Sequence, residues 1–203
     1  MQLHGQAALV VIDAQKGGVM EQDTGIAHMP GGAQRYERIG ELVERARAAA
    51  VPVVFVQEVH KRTLVDFGRE LDGAEGVHCL EGDEATELAD GLAPRPDEYL
   101  IRKRRYSAFF ATELGLVLRS HGARTLILVG GLTDVCVHYT FADAHQHDYH
   151  CRVVGDCVGG SSVRAHDAAL EAMAYLQRDC LVTCDEVLAA LGAPRGAIAG
   201  ARS

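Results

Sequence analysis

Ala7-Ala8-Leu9-Val10-Val11-Ile12-Asp13 is an unbroken apolar run, rich in β-branched residues, that ends in an acid. A strand with one wet face alternates apolar and polar side chains, so a continuous run reads as a strand covered on both faces. Five more short runs repeat the pattern: Val51–Gln57, Glu98–Arg102, Arg124–Gly130, Cys151–Asp156 and Cys180–Thr183. Between runs the apolar spacing becomes helical, as in Ile39, Leu42, Val43, Ala46 and Ala50, or in Ala165, Ala169, Ala172, Met173 and Leu176. Strands joined by helical crossovers pair in parallel, which predicts a three-layer α/β/α fold around a parallel sheet of about six strands.

The 203 residues suit one hydrophobic core, and no repeat, low-complexity tract or Pro/Gly/Ser-rich linker divides them, so residues 1–203 are expected to form a single domain. Twenty Lys and Arg against 28 Asp and Glu leave a net charge of −8, which argues against nucleic acid and anionic membrane surfaces as partners. No apolar run approaches the roughly 20 residues that span a bilayer, and the first residues lack a charged-then-apolar leader, so a cytoplasmic protein is expected. The six cysteines form no Cys-x-x-Cys pair and are expected to be reduced, mostly buried thiols.

Two stretches break the alternation, Lys16–Gly32 and the acidic Val59–Pro96. Both follow strand ends, where open α/β sheets hold their ligand crevice, so they are expected to wall a pocket. The tail from Gly192 is expected to be loosely held.

If the sheet is parallel, three reactive residues meet at its carboxyl edge. Asp13 ends the first run, Lys103 follows the third, and Cys136 follows the turn Val129-Gly130-Gly131-Leu132-Thr133-Asp134-Val135. A thiol where a helix begins faces unpaired N–H groups that favour its thiolate and could bind the oxyanion of an attacked carbonyl. Asp13 by itself would disfavour that thiolate, and Lys103 would favour it. The combination suggests Asp13 as proton shuttle and Lys103 as the cation holding sulfur and carboxylate in place. Spacing alone leaves plainer roles open: Asp13 as a turn former, Lys103 as part of the basic run Arg102–Arg105, Cys136 as a core residue.

Val10-Val11-Ile12-Asp13, the segment from Lys103 through Arg104-Arg105-Tyr106-Ser107-Ala108-Phe109-Phe110-Ala111-Thr112-Glu113-Leu114, and Val129–Val137 together resemble the isochorismatase-like cysteine hydrolase family, over roughly Leu9–Leu191. The Gly-x-x-Thr-x-x-Cys turn at Thr133 and Cys136 is the most specific element. The resemblance implies a flavodoxin-like fold, an Asp13–Lys103–Cys136 triad and a thioester acyl-enzyme. It also implies a cis peptide at Gly131–Leu132 and an oxyanion hole formed by the N–H groups of Leu132 and Cys136. Isochorismatase itself lacks the nucleophilic cysteine, so Cys136 points to C–N hydrolysis of a small linear amide, carbamoyl compound or lactam, and to a small-molecule amide as partner. Family members are commonly dimers or tetramers, which makes a homo-dimer or homo-tetramer the expectation.

Nicotinamidases in this family carry an Asp-x-His and a His-Cys pair as metal ligands, and Glu58-Val59-His60 and His78-Cys79 correspond. Glu replaces Asp at 58, and Leu64 falls where many nicotinamidases have another histidine. No cofactor is therefore expected, with a divalent metal at Glu58, His60 and His78 as the alternative. The run Val65–Gly73 is nearer the carbamoyl- and lactam-cleaving members. Gln15, Glu58, His60, Tyr106 and Phe109 are the expected pocket residues, with Arg104 and Phe110 adjoining. His138, His145, His147 and His150 lack ligand spacing and are read as solvated or packed. Two other readings stand beside the amidase: a nicotinamidase-type metal-assisted enzyme, and a noncatalytic small-molecule binding or assembly module on the same fold. A redox role is disfavoured because no resolving cysteine lies within ten residues of Cys136.

Overall fold

The structure is a computed structural model and describes residues 1–192. Six strands form one sheet: β1 (Gln6–Ile12), β2 (Val53–Glu58), β3 (Tyr99–Lys103), β4 (Ala123–Gly131), β5 (His150–Gly159) and β6 (Leu181–Val182). Every neighbouring pair is parallel, in the order β3-β2-β1-β4-β5-β6. The helices are α1 (Gly32–Ala48), α2 (Leu114–Ser120), α3 (His138–Gln146), α4 (Val163–Leu176) and α5 (Cys184–Gly192). The expected three-layer parallel architecture forms, and all six apolar runs become strands with ends moved by three residues or fewer.

The two faces of β1 show why its run is continuous. Ala8, Val10 and Ile12 pack in one core with Leu114 and Leu118 of α2, Phe141 of α3 and Met173 of α4. Ala7, Leu9 and Val11 pack in the other with Ile39, Leu42 and Val43 of α1 and Val187 of α5. Full burial of a Val, Leu or Ile side chain contributes about 1.5–3 kcal/mol, so both faces drive the layering. α4 begins at Ser162, whose hydroxyl accepts the Ala165 N–H at 3.2 Å, and α1 ends with Arg45 and Arg47 in its last turn, where cations suit the helix dipole.

The winding reverses between β1 and β4, which opens a crevice beyond the carboxyl ends of those strands. There β4 approaches β1 so closely that Gly130, at φ +113°, has no room for a side chain: a Cβ would overlap the Ile12 carbonyl. The irregular segments wall this crevice, with short 3-10 turns at Lys16–Val19, Glu70–Asp72 and Glu84–Thr86. They are tied to the sheet and to each other by bridges Gln15–Leu88 and His60–Leu80. Among the described residues no helix is long and apolar enough to cross a membrane. Gly192 ends α5, and the rest of the tail expected to be loose lies outside the described residues.

Candidate active site

Asp13, immediately after β1, takes a left-handed φ of +46°, a conformation that Asp tolerates better than bulky residues do. Lys103 is the last residue of β3 rather than the one after it, and Cys136 lies in a π-helical turn, Thr133–Val137, between β4 and α3. Three different strands thus deliver one residue each to the same edge. Lys103 is fully buried, and its Nζ lies 2.8 Å from Asp13 Oδ2 and donates to Cys136 Sγ at 3.2 Å. The peptide Gly131–Leu132 is cis.

A fourth group joins them. Glu58, the last residue of β2, accepts from Lys103 through Oε2, and Cys136 Sγ lies 3.5 Å from the same oxygen. Its other oxygen, Oε1, faces His78 Nε2 at 3.0 Å and His60 Nε2 at 3.2 Å. Gln15 holds the Glu58 backbone on both sides, its Nε2 donating to the Glu58 carbonyl at 3.1 Å and its Oε1 accepting the Glu58 N–H at 3.0 Å. Behind Glu58, His60 is stacked on Phe67 at 4.0 Å, and its Nε2 lies 3.2 Å from Glu70 Oε2.

Charge and burial set the protonation states. Burial pushes the Asp13 carboxyl up to about 6, with Lys103 opposing. The Lys103 ammonium stays charged well above its usual range because Asp13, Cys136 and Glu58 together overcome its burial. Glu58 is held well below the carboxylate range: Lys103, His60 and His78 overcome its burial. Burial pushes the Cys136 thiol well up, and Asp13 and Glu58 add to that against Lys103. One ammonium shared with two carboxylates is set against burial of the sulfur, and the net direction favours the protonated thiol.

The cavity in front of Cys136 has a volume of about 90 Å³. Of the five side chains expected to line it, Gln15, Glu58 and Tyr106 reach its wall; His60 and Phe109 do not. His60 is fully buried behind Glu58, its Nε2 3.2 Å from Glu58 Oε1 and its ring stacked on Phe67. The Phe109 ring instead lies 5.3 Å from His147 and 6.1 Å from Tyr149. Arg104 pairs with Asp66 at 2.8 Å, and Phe110 points outward. His145 and His150 pack against Phe141 and His4, away from any ligand cluster. Sequence reading missed Glu70, which arrives from a 3-10 turn with no periodic signal, and Arg35 and Tyr36 of α1, which join the cavity wall only through the tertiary fold.

Residues 7–185 match the family model described as the isochorismatase domain. The ureidoacrylate amidohydrolase RutB of Pseudomonas syringae pv. syringae (strain B728a) is 31% identical over 173 residues, covering 75% of this chain and 70% of that protein. A probable inactive nicotinamidase of Arabidopsis thaliana is 32% identical over 167 residues, 79% of this chain and 84% of the relative. Among solved structures, an isochorismatase family protein from Burkholderia thailandensis superposes with a TM-score of 0.80 at 27% identity, over 94% of this chain and 97% of that one. A domain match across nearly the whole described chain, relatives above 30% identity and a common fold lead to one assignment: the chain belongs to the isochorismatase-like hydrolase family.

Proposed function

We propose that this protein is an amidohydrolase that cleaves a C–N bond of a small amide, carbamoyl compound or lactam through a thioester on Cys136. The observation that carries the reading is the Lys103 ammonium lying 2.8 Å from Asp13 and 3.2 Å from the Cys136 sulfur at the floor of a cavity. As Cys136 attacks the carbonyl carbon, Asp13 accepts the thiol proton, and the N–H groups of Leu132 and Cys136 receive the oxyanion. Lys103 balances the negative charge that develops on sulfur. Asp13 then protonates the departing nitrogen and the C–N bond breaks. A water, deprotonated by Asp13, opens the thioester to the acid and restores the thiol. The small-molecule amide partner and the assembly as a homo-dimer or homo-tetramer belong to the same proposal.

A metal-assisted variant of this chemistry is favoured by a specific cluster. Glu58, His60, Glu70 and His78 each offer one ligand atom, and the four atoms lie within 4.8 Å of one another. His78 Nδ1 lies 2.7 Å from the Gly76 carbonyl; donation there leaves its Nε2 lone pair aimed at the carboxylates. Glu70 Oε1 has no hydrogen-bond partner among the described residues, and Oε2 faces only the His60 and His78 imidazole nitrogens, at 3.2 and 3.9 Å. Two imidazoles and two carboxylates fit Zn²⁺ or Fe²⁺. A cation there would supply Lewis acidity beside the reacting carbonyl. Without one, protonated His60 and His78 neutralise Glu58 and Glu70; against burial, these carboxylates raise His60 to about 9.

The test is a panel of amides, ureides and lactams assayed for ammonia or amine release with the parent protein and Cys136→Ala. Turnover by the parent, lost by at least about 1,000-fold in the variant, is expected. Full turnover by Cys136→Ala overturns the nucleophile. No turnover together with a thiol unreactive to iodoacetamide favours a noncatalytic binding module.

A further inference from the structure

The cavity wall carries one cation that the chemistry above does not use. Arg35, in the first turn of α1, lines the same cavity as Asp13 and Cys136. Its Nη1 donates to the Pro30 carbonyl at 2.7 Å and its Nη2 to the Met29 carbonyl at 3.0 Å, both neutral acceptors. Arg47, Arg38 and Arg104 pair with acids, Glu98 at 2.6 Å, Asp156 at 3.1 Å and Asp66 at 2.8 Å; Arg105 and Arg152, like Arg35, are held by backbone carbonyls, but neither of them lines the cavity. Among the described residues no acid lies within ion-pair distance of Arg35, and its burial draws its pKa down with only the Tyr36 phenol opposing. A guanidinium has five N–H donors, so at least one on each of Nε, Nη1 and Nη2 is left for another acceptor.

The backbone is shaped around this side chain. A Cβ on Gly159 would fall 2.5 Å from Arg35 Nε and 2.8 Å from Nη2, so that edge of the guanidinium lies flat on a glycine. A Cβ on Gly31 would stand 3.2 Å from Nη1. Gly159 is the ladder partner of Gly131, which precedes the proposed oxyanion donor Leu132. Arg35 thus packs against the strand residue that neighbours the start of the proposed oxyanion turn, in the cavity that Leu132 and Cys136 also line.

The charges of the cavity are therefore sorted. At its floor Lys103 is already matched by Asp13 and Glu58, and no further anion is favoured there. At the wall Arg35 is unmatched. Glu75 also lines the cavity, and burial pushes its carboxyl up, which weakens it as a competing charge.

Building on the amidohydrolase reading, we propose that the substrate is an anionic amide whose carboxylate is gripped by the unpaired Arg35 guanidinium over Gly159 while its carbonyl carbon meets Cys136. Arg35 is then the residue that selects and orients the substrate. A neutral amide of equal size gains nothing from it.

Two measurements test this. The first compares kcat/KM for N-carbamoyl-β-alanine, its methyl ester and n-propylurea. The parent protein should favour the carboxylate by about tenfold or more, Arg35→Gln should erase that preference mainly through KM, and Arg35→Lys should restore part of it. Equal rates on all three in the parent, preference for either neutral analogue, or an equal loss on all three in Arg35→Gln overturns the proposal.

The second needs no turnover: alkylation of Cys136 by iodoacetate and by iodoacetamide, followed by peptide mass mapping. Arg35→Gln should lower the iodoacetate-to-iodoacetamide rate ratio about tenfold, and Gly159→Ala, which displaces the guanidinium without removing it, should lower it as well. A ratio that neither variant changes overturns the proposal. A protein that cleaves none of the amides yet keeps an Arg35-dependent ratio loses the amidohydrolase reading and keeps the anion site. One that cleaves neutral amides with an Arg35-independent ratio keeps the reading and loses the anion site.

Discussion

The Lys103 ammonium donates to the Cys136 sulfur at 3.2 Å from a position with no exposure to water. Its charge is shared, because Asp13 Oδ2 lies 2.8 Å away and Glu58 Oε2 faces it as well. One buried cation thus holds three groups that would otherwise repel one another or resist ionisation.

Removing that cation should cost stability as well as activity. Lys103→Met keeps the bulk of the chain but leaves Asp13 and Glu58 as buried carboxylates without their counter-ion, and a broken buried ion pair costs about 3–5 kcal/mol. Urea unfolding followed by circular dichroism should show the midpoint falling accordingly. An unchanged midpoint contradicts the assignment of Lys103 as the charge that holds this cluster.

The pH dependence of kcat/KM should report Asp13. Its carboxyl is pushed up to about 6 from an ordinary 3.8, and only its ionised form can accept the thiol proton. The rate should therefore rise with pH to a plateau above about 6 and fall tenfold per unit below it. Asp13→Asn should abolish turnover across the range. An acid limb near 4 in the parent protein contradicts the raised Asp13 carboxyl, and turnover that survives Asp13→Asn shows that a different group is the base.

Glu58, His60, Glu70 and His78 make a measurable prediction about metal content. Protein purified without chelators should contain about one Zn²⁺ or Fe²⁺ per chain by elemental analysis, with Glu70→Gln weakening retention at least about 10-fold. Protein that is metal-free and fully active removes the cation from the scheme and leaves His60 and His78 as hydrogen-bonding partners of Glu58.

Gly130→Ala should be among the most damaging single substitutions. The new methyl would overlap the Ile12 carbonyl in the β1–β4 ladder and would also sit at a φ of +113°. Neither the strand pairing nor the dihedral can yield locally, so a loss above about 4 kcal/mol or failure to fold is expected, read by thermal unfolding. A melting temperature within a few degrees of the parent contradicts this packing of β1 on β4.

The layering was legible in the residues themselves. Runs such as Ala7–Ile12 and Ala123–Gly131 are apolar on both faces, and only a sheet covered twice satisfies them. The segment Leu114–Ser120 gave no comparable signal: one short helix carries too few turns for its period to stand out, and it is held by Leu114, Val117 and Leu118 packing on the sheet. Pocket membership was legible only in part. Tyr106 and Phe109 stand three residues apart in one irregular stretch, and nothing local says which turns to the cavity.

What the sequence determined by itself is the class of fold and the three chemical types at its carboxyl edge, because hydrophobic periodicity is local and a parallel sheet brings all its strand ends to one side. What only the tertiary structure decided is the state of those groups. Whether Cys136 rests as thiol or thiolate, whether Glu58 shares Lys103, and whether Arg35 finds an acid depend on distances between segments far apart in the chain. Coulomb interaction and desolvation act through space over a few ångströms, and no pattern along the backbone encodes them.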